Sequence, residues 1–432
     1  MSATTASNPS RRIINTPLQV LFASLIGTTI EFFDFYIYGT AAVLVFPALF
    51  FPASDPASAR LASLATFGIA FLARPVGSAL FGHFGDRIGR KTTLVIALST
   101  MGLSTVAIGV LPTYRTIGLA APILLALCRF GQGLGLGGEW GGAILLAIEN
   151  APPEKRAWYG MFPQLGAPIG FFLSGGVFLT ISHLLTDRQF FDYGWRLPFL
   201  ASSVLVFLGL YVRLTIAETP IFQRSRQRNE QHAAPMLAVL RHHARPLVLG
   251  ILACFSMFVL FYLMTVFCLS WGTSALGYSR SQFLLMQLVC ITLCAATIPV
   301  SAVAAEHGRR RVLLATTVAI GIFGIFLGPM FAAGTRGAVA MMATGLALMG
   351  VMYAPLGTLM SELFPTRVRY TGSSLAFSMS GILGASLAPT IATWLARNYG
   401  INYVGYYLSA AAALTFFGLL AVRETKDFDI AA

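Results

Sequence analysis

Charge is what this sequence has least of. Asp, Glu, Lys and Arg make up 10% of its 432 residues, where a soluble domain carries roughly 25%. Such a chain cannot cover a folded surface with ionised groups, so lipid is the expected solvent. Cysteine is scarce as well. Cys128, Cys254, Cys268, Cys290 and Cys294 all lie inside apolar stretches, and none forms a CxxC pair. That spacing fits neither a disulfide framework nor a zinc site, and the five read as small buried hydrophobes. The six histidines sit in loops or at the ends of apolar stretches without an HxxxH pair. No metal or other cofactor is expected, and no nucleophile–base set marks an enzyme.

Apolar length is what the sequence has instead: 56% of its residues are hydrophobic. A membrane-crossing helix needs about 20 mostly apolar residues, and twelve such runs follow one another, from about 18–47 to about 404–422. The first is too long for a signal-peptide core and reads as an uncleaved membrane helix. Breaks such as "GDRIGRK", "ENAPPEKR" and "FPTRVRYTG" carry turn or charge signals. Only residues 213–245 form a long connection, which divides the chain into an amino-terminal tail (1–17), six runs (18–212), a central loop (213–245), six more runs (246–422) and a final tail (423–432).

The halves repeat. Glu149, Pro152 and Arg156 follow the fourth run, and Glu362, Pro365 and Arg369 follow the tenth with the same spacing. Two six-helix halves about a midplane site is the architecture of secondary carriers. The expected fold is therefore all-α, with twelve transmembrane helices in two pseudo-symmetric halves. Most of the 29 Lys and Arg fall in the segments on the side of the two termini, which places both termini in the cytoplasm. It also assigns the net charge of +13 to an anionic membrane face, not to nucleic acid.

Five charges lie deep inside runs: Glu31, Asp34, Arg74, Arg129 and Glu139. Each costs about 2.5–3.5 kcal/mol on insertion scales, so each is expected to face a partner or a cavity. Glu31, Asp34 and Tyr38 share one face of the first helix, and Arg129, Gln132 and Glu139 one face of the fourth. Depth matching pairs Asp34 with Arg129 near the midplane and Arg74 with Glu139 below it. Phe32, Phe33 and Tyr36 point elsewhere, to lipid or neighbouring helices. Three acids then face two arginines, leaving one carboxylate over. A site holding both can switch between carboxylate paired with arginine and carboxylate protonated with arginine released. Arginine matches carboxylates bidentately, so a carboxylate solute is expected at Arg129 or Arg74. A zwitterion such as a betaine competes, with the spare acid on its cation. Tyr262, Gln287 and Tyr353 are polar groups in second-half runs that line a cavity or tie helices together. Gly133, Gly135 and Gly138 spell GxGxxG, but mid-run in an apolar segment they read as helix contacts, not a nucleotide loop. Pro163, Pro168, Pro299, Pro355 and Pro389 interrupt runs and bend them.

"GHFGDRIGRK" (82–91) resembles the loop 2–3 signature of the major facilitator superfamily, and Arg129, Gln132 and Gly133 resemble its fourth-helix R-x-x-Q-G motif. With "EFFDFYIYG", "RFGQGLGLGGEWGGA", "ENAPP" and "YGWRLPFL", the chain is similar to the metabolite:proton symporters, which include carriers of shikimate, α-ketoglutarate, citrate and proline/betaine. The resemblance implies proton-coupled import of a small organic solute through a bacterial inner membrane by a monomer. It implies coupling through Asp34 or Glu31 with Arg129. It also implies a conformational latch at Gly82, Asp86, Arg87, Gly89, Arg90 and Lys91, with Asp86 facing a helix amino terminus of the other half. The Glu149/Pro152/Arg156 and Glu362/Pro365/Arg369 sets read as paired gates. Ala305 and Glu306 stand where the second-half signature would place Asp and Arg, so that copy is expected to lack the charge lock. Uniport or exchange is the competing mechanism. A sensor on a carrier scaffold is disfavoured by tails too short for a signalling appendage.

Overall fold

The computed structural model describes residues 16–51, 56–88, 90–215, 235–426 and 428. The side chains of residues 85–90 lie outside that description, so the expectations for Asp86, Arg87, Gly89 and Arg90 lie outside the described residues. Twelve helices are long and apolar enough to cross a membrane: α1 Pro17–Leu44, α2 Ser58–Phe84, α3 Lys91–Val110, α4 Ala120–Glu149, α5 Pro153–Leu184, α6 Gly194–Thr215, α7 Ala244–Ser274, α8 Arg280–Glu306, α9 Arg309–Ala332, α10 Gly334–Glu362, α11 Thr366–Asn398 and α12 Ile401–Ala421. Helices satisfy every backbone polar group internally, as hydrocarbon requires. Their outward faces carry exposed Leu103, Phe207 and Phe417, surface suited to lipid and not to water.

Local chemistry fixes several helix starts. Capping boxes open α1 at Thr16/Gln19 and α8 at Ser279/Gln282, each supplying partners for otherwise orphaned N–H groups. Two helices carry an extra residue in one turn: π turns occupy Leu263–Phe267 of α7 and Ile382–Ser386 of α11. Pro163 and Pro168 lie inside α5, Pro299 inside α8 and Pro355 inside α10, while Pro389 follows the α11 π turn. The repeat seen in the sequence has a geometric counterpart. Pro152 (φ −59, ψ 148) and Pro365 (φ −64, ψ 154) each cap a short 3-10 turn, and the helix that follows begins at Arg156 or Arg369.

The first run ends earlier than its apolar length suggests. α1 stops at Leu44, and Phe46–Leu49 forms a separate short helix. The segment assigned to the central loop is also shorter: α6 runs through Arg213 to Thr215, and Pro235–His242 forms an amphipathic helix before α7.

Within the first half, glycines bring α2 and α4 into backbone contact. A Cβ at Gly77 would stand 2.1 Å from the Leu134 carbonyl oxygen, one at Gly133 2.2 Å from that of Ala70, and one at Gly137 2.1 Å from that of Arg74. Small residues permit such approach where lipid offers no hydrophobic drive between helices. The halves meet along α5 with α8 and α2 with α11. From the cavity layer toward the face that holds both termini, the terminal face, the Trp140 and Phe377 rings stack at 3.7 Å, Ser78 Oγ lies 2.9 Å from Ser378 Oγ, and the Tyr370 hydroxyl donates to the Gly138 carbonyl. Gly82 packs beside the Thr371 hydroxyl in the first turns of α11.

The second-half loop does carry a charged lock, contrary to the expectation from Ala305 and Glu306. Glu306 accepts from the Trp158 N–H at 2.8 Å, so an acid of the second half caps the first turn of α5. Arg309 reaches Glu362 at 3.0 Å and Glu306 at 3.7 Å. Arg156 donates to the Phe428 carbonyl at 2.6 Å, and Thr425 to Glu362 at 2.5 Å. On the opposite face the halves touch through Arg280, 3.6 Å from exposed Asp187 and stacked 4.0 Å over Phe190. Lys91, at the signature's end, donates to the Leu214 carbonyl at 2.6 Å and so ties α3 to α6.

Because nothing but backbone lies opposite Gly133 and Gly137, Gly133→Val or Gly137→Val must push α2 away from α4. Overpacking of this kind costs about 1–3 kcal/mol. Thermal unfolding in detergent should show a clear drop in midpoint for both, and none for Gly176→Ala, where a Cβ meets open space.

Candidate functional site

Between the halves lies a narrow cavity. α1 contributes Phe32 and Tyr36, α2 Arg74, α7 Met257, Phe258, Phe261 and Tyr262, α10 Met349 and Tyr353, and α11 Phe377. A second, equally narrow recess shares Tyr36 and adds Thr40, Phe67, Phe171, Thr265 and Gln287. The α7 π turn borders this recess. Its extra residue loosens the regular hydrogen-bond ladder, and Gln287 of α8 donates to the carbonyls of Met264 and Thr265 at 3.1 and 2.6 Å. Gln287 thus lines the recess while its amide ties α8 to α7. Gln164 does similar work on α5, accepting from the Trp140 indole at 3.1 Å and donating to the Tyr353 carbonyl at 2.8 Å.

Arg74 is the one charged side chain lining the larger cavity among the described residues. Its guanidinium stands 5.2 Å from the Phe377 ring and 5.6 Å from Phe71, and its Nε has no hydrogen-bond partner among the described residues. Tyr262 and Tyr353 join it at the cavity wall, whereas Arg129, Gln132, Glu139 and Tyr38 line neither space.

The buried charges pair differently from the depth-matched expectation. Arg129 lies in an aromatic box, its guanidinium 4.0 Å from the Tyr38 ring, 4.3 Å from Phe35 and 4.9 Å from Phe67. It donates to Gln132 at 2.9 Å, and Gln132 donates to Thr105 at 2.8 Å. Thr105 lies beside the Asp34 carboxylate, whose other neighbour is Ser202 of α6, donating at 2.5 Å. Asp34 and Arg129 are therefore joined through Thr105 and Gln132 and make no direct ion pair. Matching depth along two helices leaves the rotation of each about its axis undetermined, and hydroxyls fill the gap.

Glu139 pairs with Arg213, not with Arg74. Arg213 also donates to the Leu94 carbonyl of α3 at 2.9 Å. Its guanidinium fits against α1 only because residue 27 is glycine, where a Cβ would meet Nη2 at 2.7 Å. At the sequence level Arg213 falls at the edge of an apolar run and reads as a loop residue. The structure buries it and corrects the charge count to three arginines and three acids. Glu31 keeps both oxygens buried with no hydrogen-bond partner among the described residues. Buried charge is also not confined to the first half, since Arg309, Glu362 and Arg369 are buried at the terminal face.

Sequence reasoning missed most of the cavity wall. Phe32 and Tyr36, expected to face lipid or other helices, line the cavity with Phe258, Phe261 and Phe377. Inside a uniformly apolar run nothing separates an aromatic ring at a cavity from one in a core. The i, i+4 spacing of Phe32 and Tyr36 beside the acid face was the available signal.

A family model described as "Sugar (and other) transporter" matches residues 20–247 and 236–430. An inner membrane metabolite transport protein of Escherichia coli, YhjE, is 54% identical over 420 residues, covering 96% of each chain. A shikimate transporter of the same organism is 36% identical, covering 93% of this chain and 94% of that one. Among solved structures, the major facilitator superfamily proton:xylose symporter XylE bound to 6-bromo-6-deoxy-D-glucose superposes with a TM-score of 0.78 at 19% identity, covering 96% of this chain and 98% of that one. The likeness to that structure concerns the fold. The family match along nearly the whole chain and the two relatives carry the assignment: this chain belongs to the sugar (and other) transporters of the major facilitator superfamily, membrane carriers of small solutes and not enzymes.

Proposed function

We propose that the chain imports a small carboxylate together with protons through a bacterial inner membrane, exposing its central cavity to the two faces in turn. One observation carries the substrate half of this reading: the cavity holds a single charged group among the described residues, the Arg74 guanidinium, in a wall of rings and methionines. A guanidinium in such a wall favours a carboxylate, which it can grip with two parallel hydrogen bonds. A betaine or amino acid is the second reading. The ring faces of Tyr36, Phe258, Phe261 and Tyr262 favour it, because an ammonium group is attracted to them.

The proton half rests on Glu31 and Asp34, two carboxyls buried in α1 beside the cavity layer. An anion brought to Arg74 adds negative charge to an interior that already holds these acids. Protonating one carboxyl offsets that charge, so solute and proton enter most easily as a neutral load. Arg129, boxed by rings and linked to Asp34 through Gln132 and Thr105, would then keep the Asp34 end of the network in place. Release requires the Trp140–Phe377 stack and the Glu306 cap at the terminal face to part. The lysines and arginines on that face support reading it as the cytoplasmic one. The signature residues Gly82 and Lys91 and the paired sets Glu149/Pro152/Arg156 and Glu362/Pro365/Arg369 serve as its gate.

Vesicles holding the purified protein, given an inward proton gradient and a panel of carboxylates beside glycine betaine, should accumulate a carboxylate while their interior acidifies. Accumulation with no proton entry would favour uniport or exchange, and accumulation of betaine alone would favour the second reading. Arg74→Lys keeps the charge but loses the planar fork. A charge-assisted pair is worth about 1.5–3 kcal/mol, so KM should rise roughly 10- to 100-fold with the pH dependence of uptake unchanged. Glu306→Ala leaves the Trp158 N–H without its cap, which costs about 1 kcal/mol. It should lower the maximal rate several-fold and leave the ranking of solutes as it is; a changed ranking would count against a gating role.

A further inference from the structure

The Glu139–Arg213 pair touches neither cavity, and the transport reading does not use it. Four helices of the first half meet at its one cation. Arg213 of α6 holds Glu139 of α4, donates to the Leu94 carbonyl of α3 at 2.9 Å, and lies against α1 in the notch left by Gly27. Glu31 stands one turn along α1 from that notch, on the same face. Both Glu31 oxygens, the second Glu139 oxygen and the hydroxyl of Ser24 are buried without hydrogen-bond partners among the described residues.

The charges that act on Glu31 come from Arg74 on α2, Glu139 on α4 and Arg213 on α6, with Asp34 one turn further on α1. α5 meets α1 here through Gly166 and Gly170, which present no side chain, and α3 presents the Leu94 carbonyl. Arg74 points into the cavity, over Phe71 and Phe377. Arg213 is thus the one guanidinium seated between the two carboxyls, while Arg74, whose charge also acts on Glu31, is turned over the cavity rings and makes no ion pair with it among the described residues. Ionising both would leave one negative charge uncompensated next to another, which low dielectric makes costly.

We propose that Glu31, Glu139 and Arg213 form a proton-holding site in which two carboxyls share one guanidinium and one proton. Whichever acid is ionised takes Arg213, and the other keeps the proton. Swapping the roles moves a proton from Glu31 toward Glu139, which lies nearer the terminal face: Glu31 is 14 residues into α1 and Glu139 10 residues from the end of α4. No bond other than O–H changes, and the net charge of the three groups is constant. The use of this step in releasing imported protons rests on the proton-coupled reading above. The sharing itself does not.

The test needs no solute. Infrared spectra of the purified protein in lipid nanodiscs at neutral pH, in an Asp34→Asn background to remove that carboxyl, report the carbonyl stretch of a protonated buried acid. The stretch should be present, and should vanish in Glu31→Gln and equally in Glu139→Gln, because the remaining acid takes Arg213 and ionises. In Arg213→Gln it should roughly double. If Glu139→Gln leaves the stretch that Glu31→Gln removes, the proton does not depend on Arg213 and the proposal falls. It falls too if neither variant changes the stretch. If either single variant fails to fold, Glu139→Gln/Arg213→Gln, which buries no unmatched cation, must retain the stretch from Glu31; its absence would overturn the proposal. Vesicle uptake without proton entry would sink the transport reading and leave the infrared result standing.

Discussion

A charge placed in hydrocarbon must be answered inside the protein, and the first half is organised around three such answers. Arg213 is answered by Glu139 and the Leu94 carbonyl, Arg129 by a ring box and the Gln132 amide, and Arg74 by rings at a cavity with the Glu31 charge nearby. Each answer recruits a different set of helices. The Arg213 contacts fix α3, α4 and α6 around α1, and the Arg129 contacts bind α4 to α1 and α2. Arg74 is the one of the three that borders space.

The second half contributes a different chemistry to the same cavity. Its wall is built from Met257, Phe258, Phe261, Tyr262, Met349, Tyr353 and Phe377, with no ionised side chain among the described residues. Its irregularity lies in the backbone, in the π turns of α7 and α11, where carbonyls are loosened from the ladder and Gln287 takes up two of them. One half thus supplies charge and the other supplies shape. A solute held between them is felt by both, a condition for coupling occupancy to the movement of one half against the other.

Much of the architecture was legible because apolar length converts directly into membrane spans, and because the Glu–Pro–Arg spacing repeats. What stayed hidden was rotation about helix axes. Asp34 and Arg129 were placed at matching depth, yet Thr105 and Gln132 stand between them. Arg213 flanks a run, where arginines ordinarily anchor to headgroups, and its burial depends on a side chain that Gly27 does not have. Glu306 occupied the wrong place for the signature motif, but a carboxylate needs only a helix amino terminus within reach, and the start of α5 supplies one. The aromatic wall was unreadable for the opposite reason: rings are so common in these runs that none marks itself out.

The contacts along α2 have a mechanical consequence. On its inner side α2 touches α4 backbone to backbone at Gly77, Gly133 and Gly137, so any slip there drives main chain into main chain. On its outer side Ser78 meets α11 at the Ser378 hydroxyl, 2.9 Å away, and at the Ser374 carbonyl, 3.4 Å away, while its hydroxyl also reaches the Gly137 carbonyl of α4 at 2.7 Å. The first surface resists shear; the second rests on a few side-chain hydrogen bonds and is the easier of the two to part. α2 is thus held to its own half by main chain and to the other half by side chains alone, so the two seams differ in what it takes to open them.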